Sequence, residues 1–212
     1  MSDPTQTDVQ QRMALLRAWL LRRLPPDGFA WLEQQMALIA SDDRPLKHLG
    51  IAVALASRKI GKSDLDLDAA EQDAGRALRR DLDTTGWSVD QAARVLLVLA
   101  SFRGDDAAFA EGLERVFASA DIGEQVALLR GFSLFPAAAL HLPRALEGVR
   151  SAMQPVFEAV AHRNPYPREL FSEAQWNQMV LKALFIGSRL APIQGLDARR
   201  NADLARMLID YA

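Results

Sequence analysis

The chain has 212 residues, 50% of them hydrophobic and 25% charged, enough to bury a full-sized core within one globular unit. A net charge of −2 supplies no general attraction to nucleic acid or anionic lipid, and the absence of cysteine excludes disulfides, thiolate metal sites and cysteine nucleophiles. The polar start, Met1-Ser2-Asp3-Pro4-Thr5, has no apolar signal core, and the longest clean apolar run, Val95 to Ala100, falls far short of the ~20 residues that span a bilayer.

Apolar residues recur at helical spacing almost throughout, without the two-residue alternation of strands. Val9, Met13, Leu16, Leu20 and Leu24 mark a first amphipathic helix that stops at Pro25-Pro26-Asp27-Gly28. Asp27 suits the N-cap of a second helix with Phe29, Leu32, Met36 and Ile39 on its inner face. Ser41-Asp42-Asp43-Arg44-Pro45 breaks it, and Pro45 fits the first turn of a third helix that ends at Gly61. A weaker helix is expected from about Asp68 to Leu82. Ser88-Val89-Asp90-Gln91 is a capping-box pattern opening a fifth helix through Phe102, and a sixth starts near Asp105 or Asp106. Asp121 and Glu124 have the same spacing before a seventh. The eighth spans Pro143 to about His162, with a kink or break expected at Pro155, which cannot donate to the Ser151 carbonyl. Ser172 and Gln175 cap a ninth helix ending at Gly187, and the last begins near Asn201 and is still running at Ala212, as a truncated or frayed end would be.

About ten helices joined by short loops define an all-α fold, read as a single helical domain over residues 1–212. Helix pairs recur loosely, as in a HEAT-like right-handed stack; a compact globular helical bundle is the alternative.

Familiar chemical motifs fail on their own requirements. Gly61-Lys62-Ser63 resembles the end of a phosphate loop, but Ala56 stands where glycine is needed and a helix precedes it. Asp64 to Asp68 begins like a calcium loop, but Ala69 and Gly75 occupy the positions of the required glycine and glutamate. Asp42-Asp43 reads as a solvated loop rather than a metal site. His48, His141 and His162 are too scattered for a metal centre, and His162 suits a helix C-terminus. Gly131 to Phe135 lacks the last glycine of a nucleophile elbow. Arg12, Arg17, Arg22 and Arg23 lie around the first helix without aromatic platforms, so no nucleic-acid partner is expected. No catalytic residue, metal or cofactor is assigned.

The strongest string is C-terminal. Asn164-Pro165-Tyr166-Pro167, then Trp176-Asn177-Gln178-Met179-Val180-Leu181-Lys182 and Ala183-Leu184-Phe185, resemble the signature of the EboA-like family. Gly195-Leu196-Asp197, Asn201 and Leu204 to Leu208 fit it too, as do Trp87 to Arg94 and Glu147 to Arg150 upstream. The resemblance covers residues 85 to 212 well and the first third loosely; Ser151-Ala152 departs from the family's Thr-Asn. It implies a cytoplasmic bacterial protein, encoded beside a prenyltransferase-like membrane protein and metal-dependent hydrolase- or isomerase-like enzymes. Such clusters are linked to making or moving secondary-metabolite precursors toward the envelope. It implies no reaction.

On a helical wheel, Gln175, Gln178 and Lys182 form one stripe, and Asn177 falls among apolar residues, where a buried amide needs partners. The expected partners are backbone groups of the loop holding Asn164, Pro165 and Pro167, so that Asn177 pins that loop beside Trp176. Tyr166, Gln178 and Lys182 could wall a groove. Arg94, on an otherwise apolar helix, needs an acceptor, for which Glu147 is a candidate; Arg150 can pair with Glu147 at i+3. Two functions follow. In the first, a non-catalytic adaptor uses Tyr166, Gln178, Lys182, Arg94 and Glu147 to hold another protein of the pathway or a small amphiphilic metabolite, with peripheral membrane contact left open. In the second, an enzyme gathers Tyr166, Lys182, Glu147 and Arg94 in a cleft and acts on a small or prenylated precursor.

Overall fold

The computed structural model describes residues 4–41 and 45–211. Twelve α-helices and two 3-10 turns make up the described chain, and no strand occurs among the described residues. The predicted break at Asp42-Asp43-Arg44, the Asp42-Asp43 loop reading and the state of the chain at Ala212 lie outside the described residues.

α1 (Pro4–Leu21) and α2 (Pro26–Ser41) are separated by a tight connection at Pro25. Pro26 opens α2, so Asp27 sits in its first turn rather than at the cap. α3 (Pro45–Ile60) ends at Gly61, whose φ of +82° is the left-handed stop that glycine accepts. α4 (Ala69–Leu78) starts on a reciprocal box between Asp68 and Glu71 and ends earlier than expected. Four further starts fall where their caps predict: α5 (Val89–Leu99) after Ser88, α6 (Asp106–Phe117) after Asp105, α7 (Ile122–Arg130) after Asp121, and α11 (Glu173–Phe185) after Ser172. Pro155 breaks the predicted eighth helix into α8 (Leu142–Arg150) and α9 (Gln154–Ala161), because proline is tolerated in a first turn and not in an interior. α10 (Tyr166–Leu170) is a short helix inside the segment expected to be a loop, with Pro165 at its cap and Pro167 in its first turn. α12 (Ala202–Tyr211) follows Asn201.

The middle of the molecule is α5. Every residue from Val89 to Leu99 except Gln91 is buried, as an almost uniformly apolar helix must be. α1, α2, α3 and α7 all pack against it, α7 also packs on α9, and α9 on α8. A buried helix ringed by four others belongs to a compact bundle; in a solenoid each repeat would touch only its neighbours. The two charges on α5 neutralise one another: Asp90 and Arg94 form an ion pair, and Arg94 Nε also donates to the Val53 carbonyl of α3 at 3.0 Å.

Candidate functional site

The C-terminal signature is built into the interior. Asn164 is 4% exposed; its Nδ2 donates to the carbonyls of Leu129 and Ala159 at 3.2 Å each, and its Oδ1 accepts the Tyr166 N–H at 3.1 Å. This one amide ties α7, α9 and α10 together. Tyr166 does not stand at a groove mouth. It is 1% exposed, packs on Phe132 with ring centroids 5.4 Å apart, and donates its hydroxyl to the Ala138 carbonyl at 2.6 Å. Burial pushes its hydroxyl well above the ordinary tyrosine pKa, so it stays protonated.

Trp176 is fully buried with the Arg199 guanidinium 4.9 Å from its ring centroid, and Arg199 also donates to the Pro167 and Arg168 carbonyls. Asn177 is buried, as its place on the wheel predicts, but it does not pin the proline-containing segment. It forms a reciprocal amide pair with Asn201, at 3.0 and 2.8 Å, and Asn201 Oδ1 caps α12 by accepting the Leu204 N–H. Asn164 performs the pinning role instead. Gly195 (φ +93°) completes this corner: a Cβ there would lie 2.5 Å from Arg168 Cδ, and Arg168 is anchored to Asp81 at 2.6 Å.

Lys182 bends back to the end of α8. Its Nζ donates to the Val149 and Ser151 carbonyls at 2.6 and 2.8 Å, satisfying acceptors that a helix C-terminus leaves open, and it lies 5.4 Å from the Phe157 ring centroid. Desolvation lowers its pKa. Gln178 is exposed on the outer face of α11. Arg94 reaches Asp90 and Val53 and not Glu147, which pairs with Arg144 at 2.7 Å; Arg150 instead donates to the Leu146 carbonyl. Tyr166, Lys182, Glu147 and Arg94 thus face different partners, and no hydrogen bond or ion pair joins any two of them among the described residues. His162 closes α9, but burial lowers its pKa, and its ring meets the Arg189 carbonyl and Ser188 hydroxyl rather than acting as a cationic cap.

A roomier concavity lies elsewhere. α1 packs on α4 and α5, α2 on α3 and α5, and the two diverge to leave a groove of about 890 Å³ over α5. One wall carries Gln6, Gln10, Met13, Ala14 and Arg17, the other Glu33, Met36, Ala37 and Ala40. Leu96, Leu99, Ala100 and Phe102 form the floor. Alanines leave the space, and the two methionines, predicted on inner faces, are only half-buried because those faces meet the groove. A bidentate pair, Arg17 to Glu33 at 2.8 and 3.0 Å, bridges the walls at one end. At the other end Arg103 donates to the carbonyls of Ile39, Ala100 and Phe102, tying α2 to the end of α5. Gln6 Oε1 is enclosed there without a hydrogen-bond partner among the described residues. From Gln6 to Arg17 the wall is about 16 Å long at 1.5 Å per residue.

Among the described residues no serine, histidine, lysine or tyrosine lines the groove, and the one carboxylate, Glu33, pairs with Arg17. No helix among the described residues is long and apolar enough to cross a membrane. No curated protein and no solved structure matches the chain. The family described as metabolite traffic protein EboA matches residues 12–212, nearly the entire sequence, and by that match the chain belongs to the EboA family.

Proposed function

We propose that the chain is a non-catalytic carrier that holds a small, largely apolar metabolite in the groove between α1, α2 and α5 and passes it to other proteins of a secondary-metabolite pathway. The groove is the observation that carries this reading. Its volume of about 890 Å³ lies within the roughly 300–1,000 Å³ of small-molecule sites, and its lining combines apolar walls with a few polar groups at the ends. The half-buried Met13 and Met36 can repack around guests of different shape. The family's description as a metabolite traffic protein agrees with carriage rather than conversion.

The test is titration with the neutral fluorophore N-phenyl-1-naphthylamine. Saturable binding to one site is expected, weakened at least about tenfold by Ala37→Trp, which fills the groove from an exposed wall position, a loss of about 1.4 kcal/mol. Leu140→Trp, at an exposed site away from the groove lining, should bind as the unaltered chain does. Absence of saturable binding, or binding indifferent to Ala37→Trp, refutes the groove as a carrier site.

A further inference from the structure

A second cavity, of about 490 Å³, adjoins the groove and shares Arg103 with it. Its apolar surfaces come from Leu46 and Phe109, and its charged groups are Lys47, Arg103, Asp105, Glu111 and Arg115. Glu111 and Arg115 neutralise one another as an i,i+4 pair on α6. Asp105 is engaged as the α6 N-cap, accepting the Ala108 N–H at 3.0 Å, where the helix end balances its charge. In the groove Arg17 and Glu33 cancel. Lys47 and Arg103 are left as the two cations of the combined lining that no carboxylate pairs among the described residues.

Arg103 is held in place by backbone carbonyls of α2 and of the segment that ends α5, so its charge is fixed where groove and cavity meet, and the guanidinium retains uncommitted donors. Gln6 Oε1, the enclosed acceptor without a partner among the described residues, lies at the same end, where a Cβ on Gly104 would come within 3.9 Å of it. A half-turn of that amide exchanges the acceptor for an N–H₂ donor without altering its shape.

We infer that the ligand is a free amphiphile with a single anionic head. Its tail lies along Met13 and Met36 over α5, and its head is received by Arg103, with Lys47 adding charge from the second cavity. This rests on the carrier reading and adds to it the polarity and direction of the guest. The charge is complementary: an apolar guest of either sign could use the groove, but only an anion offsets two unpaired cations at one end.

The experiment is displacement of the neutral fluorophore by dodecanoate and by dodecanol, which share a tail and differ in the head. The unaltered chain is expected to prefer dodecanoate about tenfold, the effect of one charge-assisted contact, with the preference shrinking as salt is raised. Lys47→Gln, at an exposed side chain, and Arg103→Gln should each lower dodecanoate affinity and leave dodecanol affinity unchanged. If Arg103→Gln unfolds the α2–α5 contact, its dodecanol affinity falls too, and Lys47→Gln with the paired probes decides alone. Equal displacement by both probes overturns the anionic head and leaves the carrier standing; displacement by neither overturns both. Co-sedimentation with phosphatidylglycerol vesicles that depends on Lys47, without a dodecanoate preference, also overturns it, because the cations would then serve a membrane surface.

Discussion

Asn164 offers the sharpest test of how the C-terminal half is held. Its side chain makes three hydrogen bonds to backbone groups of three segments, and the residue is buried. Asn164→Ala removes all three. The Tyr166 N–H lies in the first turn of α10 and has no intrahelical acceptor, so it is stranded at a loss of about 1–3 kcal/mol. The two longer bonds to Leu129 and Ala159 add about 0.5–1.5 kcal/mol each. A total near 4 kcal/mol lowers the melting temperature by roughly 8–16 °C in a chain of this size. Asn164→Asp separates the contributions. It keeps an acceptor for the Tyr166 N–H but turns a carboxylate toward two carbonyl oxygens inside the protein, so near neutral pH it should be at least as destabilising as alanine. Urea unfolding of the three proteins is the assay. A loss below about 1 kcal/mol for Asn164→Ala, or an aspartate variant as stable as the unaltered chain, would show that the amide does not hold the three segments together.

The reciprocal Asn177–Asn201 pair should behave as one unit: a double-mutant cycle with leucine at each position is expected to show coupling of about 1–2 kcal/mol, and amide exchange in α12 should quicken in every variant. Strict additivity would mean that the pair does not anchor α12. Glu71 predicts the acid side of the stability curve. Its hydrogen bond from Arg23, aided by the Asp68 N–H, holds its pKa at about 2 against an ordinary 4.5. A depressed carboxylate contributes stability that is complete above the unfolded pKa and lost as pH falls from about 4.5 toward about 2. Glu71→Gln can still accept the Asp68 N–H but does not titrate, so its stability should fall less steeply across that window; an unchanged slope in urea titrations would sink the assignment.

Local chemistry made most helix starts readable. Ser88, Asp105, Asp121 and Ser172 each announce a helix because a side-chain oxygen and the first turn's amides are only three residues apart. Pro155 announces a break for an equally local reason. α10 is hidden in the sequence because Pro165 and Pro167 suggest a loop, whereas at a cap and in a first turn they are compatible with a helix. Asn177 shows where local reading ends. Its burial follows from the wheel, but its partner lies 24 residues away and is chosen by how α12 returns onto α11. The same holds for Lys182, whose acceptors are carbonyls at the end of α8; Arg94 differs, because its carboxylate partner Asp90 lies four residues earlier on its own helix and is readable from the spacing.

The groove was illegible for a different reason. Apolar spacing placed Met13 and Met36 on inner faces, and both do point inward; periodicity cannot distinguish a face packed on protein from one left open where two helices diverge. The distinctive strings and the groove consequently lie in different parts of the molecule. Asn164, Trp176, Asn177 and Asn201 are distinctive because each satisfies polar or aromatic neighbours fixed in position, and substitution by a merely similar residue would leave one of them unpaired. The groove asks only for alanines that leave room and flexible side chains that fill it, which many residues can supply. The residues that carry the resemblance therefore mark architecture, whereas the carrier reading proposed above puts the cargo on the less distinctive surface between α1 and α2, with Arg103 held at its end.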